Sequence, residues 1–204
     1  MKKVLVVLSI LTLCACGSSK KKVESTDNSS SMEQRLTEYS KLNEEMNLEK
    51  IMDYVYPKLF TIVPRNELLQ AMKDGFNSEE VKVNIDSMKV DKIHPAFEMD
   101  KVSYAKINYS MVMLMDFKNT KDNVTESDDE QSEFMRKTMA AQYGEENVSV
   151  DEATGIIKIR ANSSMVAVKE QSDKLWYFVN MKEDDPMATK LFSKEVIDKI
   201  GTYK

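Results

Sequence analysis

From Lys101 to Phe117 the chain reads KVSYAKINYSMVMLMDF, with Ala105, Ile107, Tyr109, Met111, Met113, Met115 and Phe117 at every second position. Alternate residues of an extended chain share one face, so this stretch reads as one long strand with an apolar side. Such a strand has to be covered. The segments on either side of it carry the pattern of covering helices and of further strands.

Ahead of it the apolar period is helical. Leu36, Tyr39, Leu42 and Met46 recur at three- and four-residue spacing from Met32 onward, as an amphipathic helix requires. Asn47 is placed to cap a second helix carrying Leu48, Ile51, Met52, Val55 and Leu59, which Pro57 weakens near Tyr56. Pro64 suits the first position of a third helix bearing Leu68, Leu69 and Met72, with Gly75 as its stop. The period then drops to two at Val81, Val83 and Ile85, and slips by one step at Met88 and Val90, which predicts a bulge near Ser87. His94-Pro95 ends that strand.

Beyond Phe117, KNTKDNVTESDD is a polar loop, and Ser127 with Glu130 forms a capping box for a helix bearing Phe134, Met135, Met139 and Tyr143, closed by Gly144. Strands are expected at Val148–Val150, Ile156–Arg160, Met165–Lys169 and Leu175–Val179. Turns at Asp151–Gly155, Ala161–Ser164 and Glu170–Lys174 would join them into an antiparallel meander. A last helix runs from Ser193 to Gly201.

The first residues differ in kind. Lys2 and Lys3 precede the apolar run Val4–Leu13, which is too short to span a bilayer and ends in Cys14-Ala15-Cys16-Gly17. This pattern resembles the lipobox of bacterial lipoproteins. The resemblance implies cleavage after Ala15, a signal peptide over 1–15 and acylation of Cys16, whereas Leu13 is too large to precede a modified Cys14. Gly17, rather than Asp, after the cysteine implies the outer membrane of a Gram-negative cell envelope. Residues 16–31 then form a lipidated, Ser-rich polar tether reaching on the order of 20 Å, and 32–204 a single folded domain. The formal net charge is −5 and becomes more negative once Lys2 and Lys3 are removed, which argues against nucleic acid as a partner. Both cysteines lie in the leader region, so the domain has no thiol for catalysis or cross-linking.

Helices followed by long antiparallel strands make an α+β layout, with helices packed on one face of a curved sheet. LEKIMDYVYPKLF and DKLWYFVNM, within a span of about 33–200, resemble the nuclear transport factor two-like (cystatin-like) cone, whose members include SnoaL-like cyclases and ketosteroid isomerases. That resemblance implies a cavity between sheet and helices for a small apolar ligand, or an open face for an envelope protein. An isomerase- or cyclase-type enzyme would need a carboxylate base in an apolar pocket facing hydroxyl donors. Tyr54, Tyr56, Tyr109, Asp116 and Trp176 are the candidate pocket residues, with Tyr104, Tyr177, Asp91 and His94 as further polar groups. No nucleophile–base pattern or phosphate loop accompanies them, so ligand or partner binding is the expected role and no cofactor is expected.

Two metal readings need weighing. TESDDEQSE at 125–133 lacks the Gly and Glu spacing of a calcium loop. Met111, Met113 and Met115 are soft ligands of the kind Cu(I) favours, and they resemble the Met-rich segments of periplasmic copper handlers. Those segments are polar and rich in His, whereas here Val112 and Leu114 separate the methionines and the chain has 15 Met against one His. Methionine is a flexible filler of cores. The ladder is read as the inner face of a strand, with no metal.

Overall fold

The alternation over Lys101–Phe117 becomes β3 (Val102–Phe117), which lies between β1 (Val81–Ile93) and β5 (Ile157–Glu170), antiparallel to both. The computed structural model describes residues 26–117, 128–180 and 186–203. Cys16, the tether up to residue 25 and Ser127 of the expected capping box therefore lie outside the described residues. Three short strands extend this central trio. β2 (Phe97–Met99) pairs with the start of β3, while β4 (Val148–Val150) and β6 (Tyr177–Asn180) pair with the two ends of β5. The six-stranded sheet is antiparallel and open. With α1 (Thr26–Glu44), α2 (Leu48–Ile51) and α3 (Arg65–Phe76) ahead of it, the fold is of the expected α+β class.

The face that carries the methionine ladder is the inner face. At one end Ile85, Met88, Ala105, Ile107, Tyr109, Met165 and Ala167 pack against Met32, Leu36 and Tyr39 of α1, Ile51 of α2, and Trp176 with Phe178. At the other end Ile157 and Ile159 lie beneath Met135, Met139 and Ala140 of α4 (Asp128–Tyr143). α5 (Ala188–Leu191) and α6 (Lys194–Gly201) cover the opposite face, where Leu191, Phe192, Val196 and Ile200 meet Tyr104, Val166, Val168 and Val179. The sequence predicts helices on one face only. The second layer follows from the Met165-Val166-Ala167-Val168 run, whose four residues are all buried and so present apolar groups to both sides.

Several local signals are realised as expected. The register of β1 on β3 shifts between Ile85 and Ser87, which puts Met88 and Val90 on the same face as Val83 and Ile85. Asn47 accepts a hydrogen bond from the Lys50 amide and Ser193 accepts one from Val196. Gly144 ends α4 at φ 94°, a backbone conformation strained for any residue with a side chain.

Other expectations are corrected. The turn at Ala161–Ser164 does not form: β5 runs straight through it, because these residues stay in register with Asn108–Met111 of β3. The ladder's backbone bonds outweigh the weak turn preference of Asn and Ser. The second helix stops at Ile51. Tyr54 and Tyr56 then bond to the edge of β6 (Phe178 N–H to Tyr54 O, 2.7 Å; Tyr56 N–H to Phe178 O, 3.1 Å), and Pro57–Thr61 forms a 3₁₀ turn. Gly75 does not stop α3, which ends at Phe76 with Asn77 as its C-cap. α1 begins at Thr26, earlier than the apolar period that starts at Met32. β2 is a further strand, placed by its pairing with the start of β3.

Candidate functional site

In a cone the pocket would open on the inner face. Here that space beneath α1 is occupied by aromatic rings. The Tyr39 ring sits 5.2 Å from Phe178, both are buried, and Tyr109 and Trp176 complete the layer. Tyr109 donates its hydroxyl to Asn180 Oδ1 at 3.2 Å. Burial raises the Tyr109 phenol above its ordinary value against an opposing hydrogen bond with Ser163. Tyr39 is pushed up to about 12, by burial first and by the neighbouring Tyr109 second. Both phenols therefore stay neutral near pH 7, and Tyr109 acts as a hydrogen-bond donor. The groups bonded to these hydroxyls are Asn43, Ser163 and Asn180, and none of them is a base.

The pocket residues expected from the sequence do not converge. Tyr54 bonds to Glu38 at 2.8 Å and lies under the Arg35 guanidinium, 4.3 Å from its ring centre. Trp176 is buried nearby in the inner core, and its carbonyl accepts from Arg35 Nε at 2.6 Å. Tyr56 belongs to the opposite face. It stacks on Phe192 at 6.2 Å and bonds to Glu170 at 2.8 Å, so burial and that carboxylate drive its phenol far above the ordinary range. Asp116 is exposed on the face away from the methionines, in register with Lys82 of β1. It belongs to the solvent side, not to a pocket. Asp91 bonds to Ser110 at 3.1 Å, and His94 is buried against Tyr203.

A groove of about 720 Å³ lies elsewhere, between α1 and β1. Leu36, Met88, Val90 and Ile93 form its floor, while Glu33, Lys41 and Lys89 stand on its rim. Glu44 fixes the helix to the strand by accepting the Met88 amide at 2.8 Å. Period and capping do not announce such a groove, because it depends on the distance between two elements. Its one trace in the sequence is the phase slip at Ser87, which turns Met88 and Val90 toward α1.

The methionine ladder sits on the inner face as expected. Met111 packs on the core beneath α1, and Met113 and Met115 pack on the core beneath α4, all three half-buried. Leucine conserves their volume and apolarity, and such exchanges cost under ~1.5 kcal/mol. The Met111→Leu, Met113→Leu, Met115→Leu triple variant should therefore melt within a few degrees of the parent. Cu(I) titration should find no tight site in either protein. A tight site lost in the folded triple variant would replace core packing by metal binding. No protein-family model, curated protein or solved structure matches the chain at a significant level.

Proposed function

We propose that this chain is a bacterial lipoprotein, held to the envelope by acyl chains on Cys16, whose α+β domain binds a small amphipathic ligand in the groove between α1 and β1. The groove carries the reading: an apolar floor of Leu36, Met88, Val90 and Ile93 lies under a rim of charged side chains. Its volume of about 720 Å³ falls in the range of small-molecule sites, ~300–1,000 Å³. It is lined by ten residues, fewer than the ~20–30 per side that a protein partner engages. An apolar tail on the floor and a polar head at the rim would meet complementary surfaces, with either sign of head charge served by Glu33 or by Lys41 and Lys89. The isomerase- or cyclase-type alternative draws on the buried Tyr39 and Tyr109 hydroxyls, but Asn43, Ser163 and Asn180 beside them cannot abstract a proton.

The test has an anchoring arm and a binding arm. Each buried CH₂ of an acyl chain contributes ~0.8 kcal/mol, and two or more chains anchor stably. Cys16→Ser should accordingly leave the membrane fraction or remain unprocessed; a processed Cys16→Ser protein that still sediments with membranes ends the lipoprotein reading. For the groove, dansyl-undecanoic acid serves as probe. The parent should bind it saturably, and Val90→Asp with Ile93→Asp should weaken binding at least tenfold while leaving the circular dichroism unchanged. Equal binding by parent and folded double variant would dismiss the groove.

A further inference from the structure

His94 is the only histidine of the chain, and it is 4% exposed. Its Nε2 meets no hydrogen-bond partner among the described residues. The ring lies against Tyr203, the centroids 5.0 Å apart and the planes tilted by 33°. Tyr203 follows α6 and is tied down on two sides. Its hydroxyl donates to the Pro95 carbonyl at 3.1 Å, and its own carbonyl accepts from Lys106 Nζ at 2.7 Å. Phe97 of β2 packs on the same tyrosine at 6.4 Å. The segment after α6 is thus clasped over the imidazole, beside the Phe97 ring that packs on the core of Val196 and Ile200.

We propose that His94 is a proton-operated latch: protonating its imidazole releases Tyr203 and the last turn of α6 from the outer face of the sheet. Lysine side chains oppose a positive charge on the ring. Lys92 comes from β1 and Lys106 from β3, and Lys199 of α6 lies 5.3 Å from the Tyr203 ring on which the histidine rests. A protonated imidazole would also turn Nε2 into a buried cationic donor with no acceptor. The face of Tyr203 offers some attraction to a cation, but that ring is already shared with the Lys199 ammonium. Water is the missing partner, and the cheapest way to admit it is to lift Tyr203, which lies outside the helix just after α6, rather than a strand held by ladder bonds along its length.

The sign follows from linkage. Burial first, then Lys92 and Lys106, lower the His94 pKa below its ordinary 6.5. The closed state therefore binds the proton less well than the open one. Closure is fully present above pH 6.5 and is lost as pH falls from 6.5 toward the lowered value. Opening would bare Ile200, which is 3% exposed in the closed state, giving the domain an apolar surface at acidic pH that it lacks at neutral pH.

The test uses the full-length protein in detergent micelles. Because the chain has one histidine, its imidazole ¹H–¹³C resonance reports the site without ambiguity. The expected midpoint lies below 6.5, with the Tyr203 ring resonances moving at the same midpoint. Amide exchange of Ile200–Tyr203, corrected for intrinsic rates, should be at least tenfold less protected at pH 5.0 than at pH 7.5 in the parent, and equally protected at both in His94→Gln. In Tyr203→Leu, which removes the clasp without touching the histidine, the midpoint should rise toward 6.5. The latch is overturned by a parent midpoint at or above 6.5, by protection that changes less than twofold between the two pH values, or by the same pH dependence surviving in His94→Gln. Should His94→Gln open the clasp at both pH values, an unmoved midpoint in Tyr203→Leu overturns it equally.

Discussion

Replacing Trp176 with alanine should unfold the domain or leave it barely stable at room temperature. Trp176 is 2% exposed and packs with Phe178, Ile51 and Met52 where α1, α2 and the sheet meet. Truncating a core aromatic to alanine costs about 3–5 kcal/mol, through lost burial plus the cavity left behind. A domain holds only ~5–15 kcal/mol in total. No disulfide can compensate, since the two cysteines of the chain are Cys14 and Cys16. Urea denaturation followed by far-ultraviolet circular dichroism reads the effect directly. A Trp176→Ala protein with an unchanged midpoint would mean that the ring is not part of the core, and that it is a surface for a ligand.

The second large effect is expected at Arg35, a residue that periodicity ignores because it lies off the apolar stripe of α1. Its guanidinium bolts α1 to two distant segments. Nε donates to the Trp176 carbonyl at 2.6 Å, Nη2 reaches the Asp53 carbonyl at 3.4 Å, and the plane covers Tyr54 at 4.3 Å and, more loosely, Tyr177 at 5.6 Å. A hydrogen bond from a charged donor contributes ~1.5–3 kcal/mol, and a cation over an aromatic ring roughly 0.5–2 kcal/mol more, according to its desolvation. The arginine remains partly exposed to water, so the lower ends apply. Arg35→Ala should cost about 2 kcal/mol, which lowers the melting temperature by roughly 4–8 °C for a domain of this size. Arg35→Lys should recover less than half, because an ammonium cannot both reach the carbonyl and lie flat over Tyr54. Full recovery by lysine would reduce the bolt to a simple charge effect.

Both residues sit at the join between the helical layer and β6, and both show where sequence reasoning stops. Trp176 was legible as core from its type and from Phe178 two positions on. Arg35 was not, because its partners lie 141 and 18 residues away and are backbone carbonyls, which leave no side-chain signature. The candidate pocket failed for the same reason. Tyr54, Tyr56, Tyr109, Asp116 and Trp176 carry suitable chemistry, but the sheet distributes them over two faces and two ends.

What the sequence determined by itself is everything that acts within about one turn or one pleat. The alternation of β3, the slip at Ser87, the caps at Asn47 and Ser193 and the stop at Gly144 are set by neighbours within four residues, where sterics and local hydrogen bonds decide. Tertiary structure decided whatever depends on a remote partner. Ala161–Ser164 stays extended because Asn108–Met111 lies beside it. The second helix ends at Ile51 because Tyr54 and Tyr56 are drawn to Phe178. α5 and α6 pack behind the sheet because Val166 and Val168 leave an apolar face there, and the groove exists only as the gap between α1 and β1. In each case the free energy comes from ladder bonds and buried area between segments far apart in sequence, and no local pattern encodes those distances.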